Sequence, residues 1–363
     1  MTSRDSHETN GEPSTDRPTV ADGSGAPANP LDVLESEGDV DTSLGTSDKI
    51  KKYLRIYIYE PWLVMRRDWR ALVGLTIISS YIIVGILGWL FLEPTRMGHG
   101  PNQLPWFRSL AHPLGTNLYG VDLMRETIHA IPMILKMMFA GGMFTIVMGT
   151  VVGTVAGYKG GTVDKVLSTI TDVFINLPGL PLVIVLAVVF TPESAYALGI
   201  LLTIEYWAGL ARAIRSQVLQ IRYDEYTEAS RTIGLPTGTI LLKDVLPHLA
   251  PYITIRFVSA MRTVLFSAVG LYFIGVLPEG DTNWGIMLSN AYNNGAMYRP
   301  QLLHWILIPS IAIVVLSIGM ILLSQSLDRV FNPRVREKHK SDGEESLEEE
   351  DEVGGKGKGM TLG

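Results

Sequence analysis

Six apolar stretches, each about 20 residues long, dominate the pattern of hydrophobic and polar positions along the chain. A helix of about 20 apolar residues crosses the roughly 30 Å hydrocarbon core of a bilayer and satisfies its own backbone hydrogen bonds there. None of the stretches shows the strict alternation that is typical of a barrel strand. The pattern therefore predicts an all-α membrane protein with six transmembrane helices. These run approximately from Ala71 to Leu92, Ile134 to Ala156, Val166 to Phe190, Ala195 to Ala213, Ile253 to Val276 and Leu302 to Gln325.

Lysine and arginine are concentrated in the flanks on one side of these spans, which predicts the orientation of the chain. Seven of them precede the first span, and others lie between the fourth and fifth spans and after the sixth. We expect this side to be cytoplasmic, with both termini in the cytoplasm. The arginines of the opposite loops are Arg96, Arg108, Arg125 and Arg299.

Charge then divides the chain into regions. Residues 1–47 hold ten acidic against two basic residues, residues 337–363 hold nine against four, and the remainder holds 17 against 24. Both ends are rich in Gly, Ser and acidic residues, so we predict disordered acidic tails. Residues 48–68 alternate basic with aromatic or aliphatic side chains, which favours a segment in the headgroup region over a nucleic-acid site. Residues 69–336 are predicted to form the six-helix domain.

The acidic tails have two interpretations. A solvating coat suited to high salt would indicate a halophile, and the alternative is an ordinary polar tail. The beginning of the chain lacks a basic region followed by an apolar core, so it does not resemble a secretory signal.

The chemistry of an enzyme is missing from the sequence. There is no cysteine, no G-x-x-x-x-G-K-[ST] phosphate loop, no H-E-x-x-H and no G-x-S-x-G motif. The seven histidines are scattered, without metal-ligand spacing on one helix. We predict a protein that is not an enzyme and has neither metal nor cofactor, so that any nucleotide it depends on binds to another chain.

Ionisable residues inside the spans are costly, and they are therefore candidates for function. Asp172 and Glu205 are the two acids, and Glu205 is expected in the middle of the fourth helix beside Tyr206 and Trp207. We predict that these four residues contribute to a substrate path, against the alternative that the acids only pair with neighbouring basic groups. Lys136, near one end of the second span, is expected to extend towards the interface.

The second span carries Gly149, Gly153 and Gly157 at a spacing of four. Small residues at this spacing allow a neighbouring helix to approach closely. We predict a packing role for this row in preference to a pore-lining one.

The loop between the fourth and fifth spans, residues 216–250, is predicted to form a short helix, a bend, a second short helix and a stop at Pro247. It resembles the cytoplasmic loop of ABC importer permeases, with the signature E-A-A, three residues, G, nine residues, I, one residue, L-P. Ser230 keeps a small side chain where the signature has alanine, and Asp244 departs from an apolar position. The matching residues are Glu228, Ala229, Ser230, Gly234, Asp244, Leu246 and Pro247.

Over residues 66–336 the chain is similar to the permease subunits of dipeptide and oligopeptide importers. The similarity is carried by HPLGTNLYGVD at 112–122, by AGYKGGTVDKVLSTITDVFINLPGLPL at 156–182, by NWGIML at 283–288 and by LDRVFNPR at 327–334. The chain departs from the family at Ser267, in SAVGLYFIG, where an acidic residue is usual. The resemblance implies a type I ABC importer permease fold.

The resemblance also implies partners: a second permease in a heterodimer, two ATPase subunits that bind ATP, and an extracellular substrate-binding protein. Membrane lipid surrounds such a chain, and nucleic acid is not expected. The signature loop would bind an ATPase subunit.

Alternatives remain open. Peptides are the favoured cargo, ahead of oligosaccharides or glycosides and of a nickel chelate. A protein of a different class, a stand-alone secondary transporter, would need no ATPase and would use Asp172 and Glu205. It would be favoured by internal inverted repeats, which the sequence does not show.

Overall fold

In the computed structural model, the described residues are 65–66, 68–98, 100–222, 232, 236–277 and 282–331, without the side chains of Asp244 and Phe331. All of them belong to one of the two units into which the chain divides, Pro61–Gly363. The predicted tails and almost all of residues 48–68 lie outside the described residues.

Helices make up most of the described chain, and an isolated β-bridge joins Thr116 to Asp122. A π-helical turn, Leu241–Val245, lies between two of the helices, and short 3-10 turns precede the last helix. In chain order the helices are α1 (Trp69–Phe91), α2 (Leu123–Lys159), α3 (Gly161–Asn176), α4 (Gly179–Phe190), α5 (Ala195–Leu201), α6 (Tyr206–Ile221), α7 (Thr237–Ile240), α8 (Leu246–Phe273), α9 (Trp284–Asn293) and α10 (His304–Phe331).

Four of these helices, α1, α2, α8 and α10, are long and apolar enough to cross a membrane. Two bent pairs supply the other two predicted spans: α3 meets α4 at 89°, and α5 meets α6 at 59°. The prediction of six spans is confirmed with each bent pair taken as one span, but the prediction that the third and fourth spans are continuous helices is wrong.

Each break has a local cause. Pro178 lacks an N–H and disfavours a helical conformation of Leu177, whose backbone is extended at φ −69° and ψ 137°. In the second break the fully buried Thr203 donates its hydroxyl to carbonyls of two helices, Gly199 at 3.1 Å and Gly141 at 3.2 Å. The bend between α5 and α6 is thereby attached to α2.

Helix α2 is the central packing element, in contact with α1, α5, α6 and α8. Its glycine row faces α6: a Cβ on Gly153 would lie 2.5 Å from the carbonyl oxygen of Ala211, and one on Gly157 would lie 2.9 Å from that of Arg215. No larger residue fits at these separations, so the predicted packing role of the row is confirmed.

The motif at residues 112–122 closes on itself and fixes the start of α2. Asp122 caps the helix by accepting a 2.8 Å hydrogen bond from the Met124 N–H, and its other carboxylate oxygen lies 2.7 Å from Nδ1 of His112. Both side chains are buried. The indole of Trp305 donates to the Thr116 carbonyl at 3.1 Å, which joins this loop to α10.

Candidate functional site

Glu205 lies at the place where the two broken helices meet. It precedes the first residue of α6, and its carboxylate packs against Gly179, the first residue of α4, so closely that a Cβ on Gly179 would collide with a carboxylate oxygen. The expected position of Glu205 in the middle of a helix is therefore wrong. The amino-terminal end of a helix carries a partial positive charge, which favours a nearby carboxylate. The Glu205 carboxylate lies near the amino-terminal ends of two helices, α4 and α6.

A groove with a volume of about 460 Å³ opens beside Glu205, between α4, α6 and α8. Its walls are mostly apolar. Its polar groups are the Glu205 carboxylate and the hydroxyls of Tyr206 and Ser267, and the Tyr206 hydroxyl is close enough to interact with each of the other two. Mostly apolar walls with a few convergent polar groups are typical of sites that hold small organic molecules. The remaining lining residues are Gly179, Leu180, Val183, Leu202, Phe266, Gly270, Leu271 and Ile274.

No basic side chain among the described residues forms an ion pair with Glu205. Its carboxylate lies beside the starts of α4 and α6, makes no capping hydrogen bond to α6, and is accessible from the groove, since the side chain is only partly buried. We call this surface the Glu205 groove.

Trp207 does not belong to the groove. It is 4% exposed and packs against Phe174 of α3, with ring centroids 5.0 Å apart, in a cluster with Ala208 and Ala211. Neighbouring residues on a helix project about 100° apart. Tyr206 and Trp207 accordingly face different sides of α6, and the predicted trio is divided.

Asp172 lies in a second cavity, which has a volume of about 330 Å³ and is formed by α2, α3 and α6. Its carboxylate accepts a hydrogen bond from the Arg212 guanidinium. Asp164, about two turns nearer the start of α3, accepts two hydrogen bonds from Arg215, at 2.5 and 2.6 Å. Each acid on this side of α6 thus has an arginine partner. We call this cavity the paired-acid cavity.

The signature loop is only partly described. Glu228, Ala229, Ser230 and Gly234 lie outside the described residues, as does the side chain of Asp244. The predicted stop at Pro247 is wrong, because α7, the π-helical turn and α8 follow one another without interruption from Thr237 to Phe273.

The π-helical turn explains why Pro247 does not end the helix. The Leu246 N–H bonds the carbonyl five residues earlier, that of Leu241, instead of the usual fourth. Pro247 follows directly after this wide turn, so its missing N–H falls where the regular four-residue bonding is already interrupted. The loop therefore continues directly into the fifth span.

One face of this continuous segment is anchored and the other is exposed. Ile240, Val245 and Leu249 are at most 1% exposed and pack in a cluster with Ile214 and Val218 of α6. Leu242 is 67% exposed, and Lys243 beside it is exposed as well. Leu242 and Lys243 thus belong to the part of this segment that the rest of the described chain leaves uncovered.

The sequence interpretation did not identify the positions of Gly179 and Ser267 at the groove or the exposure of Leu242. Gly179 follows Pro178, and a proline followed by glycine was a signal for a break. The sequence distinguishes Ser267 only as a position where the family usually has an acidic residue. For Leu242 the short apolar run Ile240–Leu242 gave no sign of which member would be exposed.

Comparison with known families gives a match over residues 149–337, about half of the chain, to the binding-protein-dependent transport system inner membrane component. Among curated proteins, the dipeptide transport system permease protein DppC of Bacillus subtilis (strain 168) is 29% identical over 298 residues, which is 80% of this chain and 90% of that protein.

Two further relatives have similar coverage. The oligopeptide transport system permease protein OppC of Bacillus subtilis (strain 168) is 27% identical and covers 80% of this chain and 94% of its own length. The glutathione transport system permease protein GsiD of Escherichia coli O6:K15:H31 (strain 536 / UPEC) is 26% identical and covers 77% of this chain and 91% of its own length. Among solved structures, the MetNI methionine ABC transporter in inward-facing conformations matches with a TM-score of 0.44 at 17% identity, over 56% of this chain and 97% of that one.

Proposed function

The chain belongs to the family of binding-protein-dependent transport system inner membrane components, and from that membership we propose that it is the permease subunit of an ABC importer for peptides. It is a multi-pass membrane protein, and ATP hydrolysis in this family is carried by separate ATPase subunits. The observation that carries the choice of cargo is the similarity, over four fifths of the chain, to permeases named for dipeptide and oligopeptide transport.

The Glu205 groove is proposed as this subunit's half of the substrate path. It is open on one side, its walls are mostly apolar, and its polar groups are few. A permease that passes cargo onward needs weak contacts, because tight binding in the membrane would slow release. A second, related permease facing this groove would complete the path.

The segment from Thr237 to Phe273 is proposed to couple ATPase movement to the groove. The exposed Leu242 and Lys243 lie at its loop end, and Phe266, Ser267 and Gly270 line the groove near its other end. Rigid elements transmit displacement between discrete packings. A movement of the loop would therefore move one wall of the groove.

The partners follow from the same proposal. They are a second permease, two ATPase subunits that hold the nucleotide, and a substrate-binding protein on the outer side. We place both termini and the loop 216–250 in the cytoplasm, where the lysines and arginines are concentrated. The chain itself is proposed to bind no cofactor.

The test is uptake of labelled dipeptide by vesicles that contain this chain with its second permease, ATPases and binding protein. We expect uptake that needs ATP and is lost in Glu228→Lys and in Gly234→Val, while the assembled complex is recovered in normal yield. Wild-type uptake in both variants would contradict the coupling role of the signature loop.

Two controls separate the alternatives. Uptake that continues without ATP would favour a stand-alone secondary transporter. Stimulation of the ATPase by an oligosaccharide or by a nickel chelate, but by no peptide, would support an ABC importer permease whose cargo is not a peptide.

A further inference from the structure

A polar cavity and an apolar groove lie side by side between the end of α1 and the beginning of α2, away from the Glu205 groove. The cavity has a volume of about 270 Å³, and its polar lining groups are the side chains of Thr95, His129, Lys136 and Thr282. Thr95, Lys136 and Thr282 can donate hydrogen bonds into the cavity, whereas Nε2 of His129 lies 3.0 Å from the Glu93 carbonyl oxygen and donates there. None of the described residues that line the cavity is acidic.

The apolar groove has a volume of about 380 Å³ and runs along α1 past Ile82, Ile86 and Leu90. It shares Trp89, Pro132 and Lys136 with the polar cavity, so the two spaces meet at Lys136. A tryptophan at the end of a span is typical of the boundary between hydrocarbon and headgroups. The groove therefore lies at hydrocarbon depth, and the cavity lies at headgroup depth.

Close packing of the two helices holds this shape. A Cβ on Gly85 of α1 would lie 2.8 Å from a methyl group of Ile131 on α2, so the helices are in contact at that level. Pro132 is inside α2 and has no N–H, which leaves the Ile128 carbonyl without its helical donor. The groove is thus formed by the α1–α2 contact itself.

Lys136 is the charged group at the junction. Its side chain is exposed, and it forms no hydrogen bond or ion pair with any described residue. A lysine within a span is costly unless it reaches water or an anion. A ligand that brings a negative charge to this point would therefore be favoured.

We propose that the cavity and groove together bind one membrane phospholipid of net negative charge. Its phosphate oxygens accept hydrogen bonds from Lys136 and the neighbouring donors, and an acyl chain lies against Ile82, Ile86 and Leu90. A free phosphate would leave the apolar groove empty, and a headgroup with its own ammonium would meet a second cation in Lys136. A phosphatidylglycerol, whose anionic headgroup fits the cavity and whose acyl chain fits the groove, satisfies both.

The experiment measures which lipids stay bound to the full-length chain. The protein is extracted from nanodiscs that contain equal amounts of phosphatidylglycerol and phosphatidylcholine, and the retained lipids are counted by native mass spectrometry. We expect wild type to prefer phosphatidylglycerol about fivefold, as one lysine near an anionic lipid predicts. Lys136→Gln should abolish this preference and Lys136→Arg should keep it. Lys165→Gln, which alters an exposed lysine of α3, is the matched control and should also keep it.

A second variant tests the apolar half. Ile86 is 54% exposed, so Ile86→Gln should fold normally and lower the retention of both lipids without changing the preference between them. Equal retention of the two lipids by wild type, or an unchanged preference in Lys136→Gln, would overturn the proposal. A thermal shift with inorganic phosphate as large as that with phosphatidylglycerol would identify a free anion instead and would also overturn it.

Discussion

Two acids within the spans, Asp172 and Glu205, lie on different sides of α6 and have different surroundings. Asp172 accepts a hydrogen bond from Arg212 in the paired-acid cavity, and Asp164 is likewise bound by Arg215, which also lines that cavity. Glu205 faces the groove beside two helix ends and has no ion-pair partner among the described residues. The sequence presented both acids as equivalent candidates for the substrate path.

The difference teaches that partners, and not depth in the span, separate a structural acid from an available one. A carboxylate that accepts hydrogen bonds from a guanidinium on another helix holds the two helices together and has fewer positions free for a ligand. A carboxylate that only lies near the amino-terminal ends of helices can still accept hydrogen bonds from a ligand. The two arginine–aspartate pairs thus join α3 to α6, and the Glu205 carboxylate remains accessible from its groove.

The largest expected effect concerns Trp207, which lies on the paired side of α6. Trp207→Ala removes a buried ring that contacts Phe174, and we expect a loss of about 3–5 kcal/mol in the free energy of unfolding. Tyr206→Ala, one residue earlier and 41% exposed, is the matched control and should lower the thermal midpoint in detergent far less. Equal losses in the two variants would remove the distinction between the two sides.

The two arginines of the paired-acid cavity should differ from each other. Arg215→Ala removes two hydrogen bonds from the Asp164 carboxylate, whose side chain is 17% exposed, and leaves it the one from the Ser168 hydroxyl. We expect a loss of about 2 kcal/mol in the free energy of unfolding. Arg212 and Asp172 are 54% and 57% exposed, so Arg212→Ala should cost less than about 1 kcal/mol. Double-mutant cycles on each pair, followed by chemical denaturation, measure both couplings. A larger coupling in the exposed pair would contradict this ranking.

Glu205→Gln tests the open side. We expect the yield of folded complex to stay normal and peptide uptake to fall roughly tenfold, because one charge-assisted contact to passing cargo is lost. Glu193→Gln, an exposed acid between α4 and α5, serves as the control and should transport normally. A lower yield of complex with an unchanged cargo profile would show instead that Glu205 pairs with a basic group of a neighbouring chain.

The smallest effect is expected from the tails. Deletion of residues 1–45 and 341–363 should leave uptake within a few fold of wild type, because neither tail carries an apolar stripe that could pack. Uptake and complex assembly are measured in low and high salt. Loss of assembly in high salt would show that a tail binds a partner.

Much of the fold could be predicted because its signals are local. The apolar stretches indicated six spans, and the row Gly149, Gly153, Gly157 indicated a close helix contact that the structure places against α6. The break before Gly179 also had a local signal in Pro178, but an average of hydropathy over 20 residues does not register a single proline.

The candidate site was harder to predict because it depends on contacts between distant residues. The bend at Glu205 is attached to α2 by the hydrogen bond from Thr203 to Gly141, 62 residues earlier in the chain. Which of Tyr206 and Trp207 would face the groove depends on where α6 begins, and that start is set by the same bend. The partners of Asp164 and Asp172 lie 51 and 40 residues away, so the sequence could not pair them.

The wide turn at Leu241–Val245 has a geometric consequence for the join between loop and span. It amounts to one residue inserted into an α-helix, and one residue corresponds to about 100° of rotation and 1.5 Å of rise. If the insertion migrates along the axis, each residue it passes turns by that angle relative to both ends, and the exposed Leu242 and the buried Val245 change the directions they face. A displacement of about 1.5 Å along the helix axis would therefore be enough to change which side chains the loop presents to its surroundings.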